Sequence, residues 1–412
     1  MGGQGQGAIL TTRRGWRAAR SARAPGTRSP MVVWLVACLS VIASPLALFG
    51  AAGATTGANP AAFVPVPVPP VTLPDPGVLI TPGLNIPDPF VIEVGGIYFL
   101  FSSQTTFFGP SVPLMVSTSL TNWDSTSVDA MPTLPSWATQ GFTWSPDVRA
   151  LDGHYVMWFS AAIAGSLHKC IGVATASSVT GPYVSSSPSP LVCQLDDQGS
   201  IDPRTFVDPE GRLWLLWKSD DNADVTADTH TTIYAQQLSS DGTQLLGNPV
   251  ALLTADQPWE GRIVESPDMV YAAGQYWLFF SGNWYNQPGY AIGVAECLEP
   301  TGPCEPSSLV PWLASNAQGS GPGEASLFFD GSRWWMLYAP SAVAYESLTT
   351  ARPVVLARLT FGPNGPTVVP PGTAAWVQGD PPQTVGTTRP AEKARTVPTC
   401  TNTQLQTSCG LR

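Results

Sequence analysis

Residues 266–282 read SPDMVYAAGQYWLFFSG, and a carboxylate, Glu265, stands directly before them. A short apolar stretch leads to a turn at Gly274, and an aromatic and aliphatic stretch follows the turn. Two apolar stretches joined by a tight turn indicate a β-hairpin. The second stretch hardly alternates between polar and apolar residues, as expected for a strand that is buried on both faces between packed sheets.

The same pattern occurs five times along the chain, with turn glycines 57 to 63 residues apart. The other four copies are DPFVIEVGGIYFLFSS (88–103), SPDVRALDGHYVMWFSA (145–161), DPRTFVDPEGRLWLLWKS (202–219) and GEASLFFDGSRWWMLYAP (323–340). Further short strands follow most copies, for example YAIGVAE at 290–296. Five repeats of about four strands predict an all-β fold, a five-bladed β-propeller. A β-sandwich with coincidental turns is the alternative, and the regular spacing argues against it.

Composition agrees with a large, turn-rich β domain. The chain has 412 residues, of which only 12% are charged, together with 39 Gly and 42 Pro. Such a mixture is more typical of a β protein than of a helical one. We assign the propeller to residues 81–372, a Pro-rich linker to 55–80 and a C-terminal tail to 373–412.

The first 54 residues differ from the rest. Residues 1–30 carry six Arg and no acid, and residues 31–54 are apolar and end in Ala-Gly-Ala. This arrangement predicts an export signal over 1–54 and a secreted protein. The alternative is a membrane anchor formed by residues 31–54.

Charge and cysteine content limit the partners. Without residues 1–54 the chain keeps 13 basic and 29 acidic residues, a net charge of −16. This charge argues against binding to nucleic acid or to an anionic membrane, and we expect a monomer. Six Cys remain, and nearest neighbours pair as 170–193, 297–304 and 400–409, although fifteen connectivities exist. There is no CxxC motif, so we predict no structural zinc and assign no metal ligand.

Each repeat carries an acid at or just before its first strand, which in a propeller lines the central channel. These acids are Asp88, Asp147, Asp202, Glu265 and Glu324, and they lie 6 to 9 residues before the turn glycines. Five blades therefore bring acids from distant parts of the sequence towards one axial pocket. An Asp beside a Pro is also common at turns and strand starts, where it accepts backbone N–H groups.

The segments IPDPFVIEVGGIYFLFSS, TWSPDVRALDGHYVMWFSA and VESPDMVYAAGQYWLFFSG resemble the three carboxylate motifs of glycoside hydrolase family 43. The resemblance covers roughly residues 82–370. It implies a five-bladed propeller that cleaves arabinose- or xylose-containing glycans with inversion. It further implies that Asp88 is the general base, Glu265 the general acid, and Asp147 the acid that tunes the pKa. We assign Asp202 a structural role.

The chemistry explains the need for several acids. An inverting hydrolase uses one carboxylate to activate water and one carboxylic acid to protonate the leaving oxygen, roughly 6.5–9.5 Å apart. Glu265 must then stay protonated near neutral pH, which requires a neighbouring negative charge or partial burial.

Aromatic residues near the acids are candidates for binding sugar, whose C–H faces stack on rings. We assign this role to Trp144, Phe107 and Trp284. Glu324 stands where many family members carry a His near a bound ion, and we place it among the substrate-binding residues. Glu324 would either bind a cation such as calcium or pair with Arg204 or Arg149. No cofactor is required by the reaction, and calcium would serve only a structural role.

The sequence thus predicts a secreted hydrolase of pentose-containing glycans, with a polysaccharide or oligosaccharide as its partner. Two alternatives remain, a non-catalytic carbohydrate-binding propeller and a retaining furanosidase that acts on fructans. The sequence leaves open which pentose is cleaved and whether cleavage is internal or terminal.

Overall fold

The computed structural model describes residues 65–73, 76–316, 319–340 and 351–373. Within them, five antiparallel sheets form the predicted five-bladed β-propeller, so the fold class is confirmed. The predicted export signal over 1–54 and the predicted 400–409 disulfide lie outside the described residues. Along the described part of the chain, no helix is long and apolar enough to cross a membrane.

The strands follow the chain order blade by blade. Blade one contains β2 (Phe90–Val94), β3 (Ile97–Phe101), β4 (Pro113–Ser117) and β5 (Asp124–Asp129). Blade two contains β6 (Ala138–Leu151), β7 (His154–Ile163) and β8 (Lys169–Ala176). Blade three contains β9 (Ser200–Val207), β10 (Leu213–Ser219), β11 (Thr232–Leu238) and β12 (Leu245–Thr254).

The remaining strands complete the ring. Blade four contains β13 (Val264–Ala272), β14 (Gln275–Gly282), β15 (Ala291–Cys297) and β16 (Cys304–Pro306), and blade five contains β17 (Ser326–Phe329), β18 (Trp334–Tyr338), β19 (Val355–Gly362), β20 (Gly365–Val369) and β1 (Val78–Leu79). The described helices are single 3-10 turns at Leu195–Asp197, Asp221–Ala223 and Pro258–Glu260.

The core explains why the second strand of each blade is apolar throughout. Five clusters of buried side chains lie one at each junction between neighbouring blades. Adjacent residues of one strand therefore enter different clusters: in β18, Trp334 packs against blade four and Trp335 against blade one. Successive side chains of a strand point to opposite faces, and here both faces are covered.

Two of the predicted disulfides are confirmed, Cys170–Cys193 and Cys297–Cys304. The second closes the β15–β16 hairpin, where the two cysteines are paired in register. The first links β8 to the segment that leads into blade three.

Residues before the expected boundary between linker and propeller, at residue 81, also contact the propeller. β1 pairs with β19 at Val355 and Leu356, so a strand from before blade one helps to close blade five. Further upstream, Val68 is buried in the cluster between blades four and five, and Val71 N–H donates to the Trp312 carbonyl at 2.6 Å.

We therefore expect residues 65–80 to stabilise the ring. Burial of a Val side chain contributes roughly 1.5–3 kcal/mol, and the β1–β19 hydrogen bonds add to it. A chain that begins at Thr81 should unfold at a lower temperature than one that begins at Pro65, by about 4 °C or more. Thermal unfolding followed by circular dichroism measures the difference. Equal unfolding temperatures would show that these residues are a passive linker.

Candidate active site

A cavity of about 480 Å³ opens at one end of the propeller axis and is lined by residues from all five blades. Its volume lies in the range of ligand-binding clefts. Asp88, at its wall, is half-buried. Most of the other charged groups that line it are buried, namely Asp202, Asp220, Glu265, Glu324, Lys218 and Arg352.

Each blade presents one residue with left-handed backbone at the cavity end of its first strand. These residues are Asp88 (φ 50°), Ser145 (φ 49°), Asp202 (φ 58°), Ser266 (φ 49°) and Glu324 (φ 58°). In blades two to four the residue sits where the pairing of the first two strands shifts register. Left-handed backbone is unfavourable for residues other than Gly, and such strain concentrates at functional sites.

Serine hydroxyls connect Asp88 to Asp202 through blade two. The Ser103 hydroxyl donates to Asp88 Oδ2 and accepts the Ser145 N–H at 2.8 Å. The Ser145 hydroxyl in turn donates to Asp202 Oδ1 at 2.9 Å, and the Ser266 N–H donates to Asp202 Oδ2 at 3.0 Å. Ser145 and Ser266 lie in strands, and Ser103 is held by its N–H, which donates to the Pro87 carbonyl at 3.0 Å, so the two carboxylates are positioned before any ligand binds.

Glu265 is held by two donors. Lys218 Nζ approaches its Oε2 at 3.2 Å, and the Tyr290 hydroxyl donates to its Oε1 at 2.7 Å. Lys218 is fully buried and also contacts Asn222 Oδ1 at 2.6 Å. Burial opposes its charge, but the carboxylates of Glu265, Asp220 and Asp202 outweigh burial and raise the pKa of Lys218. A positive charge is therefore fixed beside Glu265.

Asp202 lines the cavity and has a raised pKa. Burial raises the pKa of its carboxyl to about 7, and the nearby charges of Glu265 and Asp88 act in the same direction. The Lys218 ammonium and the Ser145 hydrogen bond oppose the rise. With this pKa, the Asp202 carboxyl is partly protonated near neutral pH. The side chain of Asp202 lines the cavity, and the structural role expected for it stays a prediction.

Asp147 is not brought into the cavity, and its predicted place in the site is corrected. The side chain is 0% exposed and lies between the blades, with Arg204 Nη1 at 3.6 Å and the Thr205 hydroxyl donating at 2.5 Å. Burial raises the pKa of Asp147, against the opposing charges of Arg204 and Arg149. Asp147 lies two residues beyond Ser145, the residue of blade two that reaches the cavity.

The true counterpart of Asp147 in blade four is Asp268, because the sequence SPD occurs in both blades. Arg204 lies between these two aspartates, at 3.6 Å from Asp147 and 3.7 Å from Asp268. Burial raises the pKa of Asp268 to about 7, as it raises that of Asp147. The repeated aspartates therefore bind the blades together, whereas the acid of blade four that enters the cavity is Glu265.

Glu324 lines the cavity, but its partner differs from both expected arginines. Its Oε1 accepts from Arg352 Nη1 and its Oε2 accepts the Asp88 N–H at 2.7 Å. The Glu324 carboxylate, on its side, raises the pKa of Arg352. Since both oxygens are engaged and a guanidinium lies beside them, this carboxylate does not fit the expected calcium ligand. The structure describes no group of three His, Cys, Asp or Glu that could hold a metal.

Of the three aromatic residues predicted to bind substrate, only Trp144 lines the cavity. Trp284 is half-buried and lies under Arg262, whose guanidinium is 5.9 Å from the ring centroid. Its neighbour Tyr285 takes the place at the cavity wall. Phe107 lies outside the cavity, in contact with Phe142.

Sequence reasoning did not find Lys218, Tyr290 or Arg352. For Lys218 a signal existed: it interrupts an apolar strand of blade three, at the position where blades two and four carry Ser160 and Ser281. Tyr290 and Arg352 lie outside the repeated hairpins, so alignment of the repeats could not reveal them.

Fold and cavity together define a five-bladed propeller with carboxylates converging at one end of its axis. The profile of glycosyl hydrolases family 43 matches residues 81–367. This chain belongs to that family. A solved thermostable family-43 glycoside hydrolase superimposes with a TM-score of 0.62 at 27% identity, over 71% of this chain and 96% of that one.

Two curated relatives are bacterial arabinanases. An extracellular endo-α-(1→5)-L-arabinanase of Thermotoga petrophila is 28% identical over 258 residues, covering 52% of this chain and 50% of that protein. The extracellular endo-α-(1→5)-L-arabinanase 2 of Bacillus subtilis is 27% identical over 270 residues, covering 60% of this chain and 54% of that protein. The chain thus spans about half the length of these relatives.

The raised pKa of Asp202 makes stability depend on pH. A carboxyl whose pKa is 3.8 when unfolded and about 7 when folded costs no stability below pH 3.8, and its cost grows as the pH rises to 7. Each pKa unit is worth about 1.4 kcal/mol. Asp202→Asn should therefore gain unfolding temperature relative to wild type between pH 5 and pH 8.

Thermal scans of both proteins across this pH range measure the effect. Glu305→Gln is the matched control, because it removes a carboxylate at an exposed position of β16 and leaves Asp202 and its hydrogen bonds intact. This control should retain the pH dependence of wild type. If the unfolding temperatures of Asp202→Asn and wild type changed with pH in parallel, Asp202 would not be the group that is protonated in this range.

Proposed function

We propose that this protein hydrolyses glycosidic bonds in arabinan or related pentose glycans, with inversion at the anomeric carbon. The observation that carries the proposal is the convergence of Asp88, Asp202 and Glu265 on one cavity, each from a different blade. Family membership supports the reaction class. The names of the two bacterial relatives favour α-1,5-linked arabinan as the first substrate to test.

In this mechanism Asp88 is the general base. Its carboxylate accepts from Ser103, and its backbone is fixed by Glu324, so the second oxygen is oriented towards the cavity contents. It would accept a proton from the water that attacks the anomeric carbon. General base catalysis of this kind contributes typically 10²–10⁴-fold.

Glu265 is the general acid, and Lys218 and Tyr290 position it. Burial and the nearby charge of Glu265 together raise the pKa of Asp202, so Asp202 can hold a proton close to Glu265. Asp202 thereby takes the role of tuning the acid that the sequence assigned to Asp147. Arg352 and Trp144 line the same cavity and are suited to contact sugar hydroxyls and a sugar face.

A purely carbohydrate-binding propeller would need the aromatic wall but not this arrangement of acids. Left-handed backbone at Asp88 and Asp202 and the burial of Lys218 are costly, and binding alone would not require them. The cavity therefore favours the enzyme over the binding protein.

We also propose that the protein is secreted. The basic and apolar pattern of residues 1–54, the two disulfides and the extracellular relatives all support export.

Removal of the acid should affect substrates unequally. Glu265→Gln should lower kcat/KM for linear arabinan by about 10²–10⁴. A 4-nitrophenyl arabinofuranoside should lose much less, because its leaving group departs with little help from an acid. Asp88→Asn should abolish the hydrolysis of both substrates.

Glu305→Gln is the matched control, the same substitution at an exposed carboxylate of β16, and should behave as wild type. If Glu265→Gln lowered kcat/KM equally on both substrates, Glu265 would not be the general acid. A wild-type protein that retains oligosaccharide but cleaves nothing would establish the binding propeller instead.

The stereochemical outcome tests the second half of the proposal. Proton NMR during hydrolysis of an α-linked arabinofuranoside should reveal the β-anomer of arabinose first, before mutarotation. First appearance of the α-anomer would establish retention and a covalent intermediate, as in the fructan-type alternative.

A further inference from the structure

Four aromatic side chains form a continuous row that starts at the cavity wall and ends in solvent. Trp144 lines the cavity, and its ring centroid is 6.2 Å from that of Phe142. The ring centroids of Phe142 and Phe107 are 6.2 Å apart, and those of Phe107 and Phe108 are 4.9 Å apart. We call these four residues the aromatic row.

The outer end of the aromatic row is unusually exposed. Phe108 is 93% exposed and Phe107 is 50% exposed. Single exposed apolar residues need no explanation, but a contiguous exposed set that continues from a ligand cavity marks a binding surface. Neither ring is needed for the core, because both lie outside the five buried clusters.

The row is held in place by its surroundings. Gly141 has a φ of 98°, and a Cβ at this position would overlap with the Phe107 ring, so the ring packs directly on the backbone. Gln104 ties the loop to blade two, because its N–H donates to the Thr143 carbonyl at 2.9 Å and its side-chain amide donates to the Gly109 carbonyl at 3.1 Å. Phe142 and Trp144 lie two residues apart on β6 and therefore on the same face.

We propose that the aromatic row is an outer sugar-binding surface, which holds a pentose glycan chain that extends beyond the catalytic cavity. The inference rests on the proposed function and deepens it, since it assigns named side chains outside the cavity to the part of the glycan that is not cleaved. The main argument is that the exposed rings are continuous with Trp144 at the cavity wall. A glycan that has one sugar unit in the cavity must leave the cavity along such a wall.

The shape and surroundings of the row fit a glycan better than a protein. The exposed part consists of two rings, Phe107 and Phe108, and the neighbouring residues Thr105, Thr106 and Gln140 are exposed and polar. A sugar unit offers each ring a small C–H surface and offers the flanking groups its hydroxyls. A stable protein interface needs a broader buried patch.

Phe108→Ala tests the inference with little risk to folding, since the side chain is nearly all in solvent. The ratio of kcat/KM on linear arabinan to kcat/KM on a 4-nitrophenyl arabinofuranoside should fall about three- to tenfold, chiefly through KM for the polymer. Gly141→Ala, which displaces Phe107 without removing a ring, should lower the same ratio. Leu309→Ala, at an apolar side chain that is 76% exposed in the chain segment after β16, is the control and should leave it unchanged.

Affinity electrophoresis in gels that contain linear arabinan separates this inference from the hydrolase proposal, because retardation needs no catalysis. Wild type and Leu309→Ala should be retarded, and Phe108→Ala should be retarded less. This result would support sugar binding by the aromatic row even if the protein cleaved no glycan. Equal retardation of all variants with an unchanged activity ratio would overturn it. So would loss of binding to phosphatidylcholine vesicles by Phe108→Ala without any change on arabinan, which would make the row a membrane contact.

Discussion

The hydrogen bond from the backbone of one blade to a serine of the preceding blade is the contact on which the cavity depends. Ser103 accepts the Ser145 N–H at 2.8 Å, Ser160 accepts the Asp202 N–H at 3.1 Å, and Ser281 accepts the Glu324 N–H at 2.9 Å. Each donor is a residue with left-handed backbone. These bonds stabilise a conformation that would otherwise be strained, and they set the position of each blade against the next.

Blade three departs from this pattern, and the departure creates the charge arrangement of the site. Lys218 stands where blades two and four carry a serine, so blade four is joined to blade three by a buried ion pair to Glu265. The Ser266 N–H donates to Asp202 instead. A buried cation is stable only among compensating charges, and the acids around it supply them. Lys218 and the surrounding acids are therefore mutually dependent, as the direction of their pKa shifts indicates.

The fold was predictable from the sequence because it depends on a repeated local signal. Each hairpin carries a turn glycine and a strand that is apolar on both faces. The hairpin occurs five times at nearly even spacing, and each copy buries its two faces against the neighbouring blades in the same way. Asp88 and Glu265 were predictable because each lies at the cavity end of a first strand. Tyr290 and Arg352 were not, because they reach the cavity from connections between repeats. Asp147 was misplaced because strand register decides which side chain enters the cavity, and register shifts by one residue at each bulge.

The parts of the molecule that deviate from five-fold repetition are the parts suited to chemistry. The same backbone position carries Asp, Ser, Asp, Ser and Glu in successive blades, so one geometry presents two weakly polar and three acidic groups to a common space. A symmetric ring of five acids would repel itself and bind cations. The serines instead relay hydrogen bonds between acids, and Lys218 and Arg352 offset the charges of Glu265 and Glu324. The aromatic row extends the same asymmetry outwards, because only the loop of blade one and the long first strand of blade two provide it. A substrate that lies across such a surface has a single preferred direction, as the proposed reaction with a distinct base and acid requires.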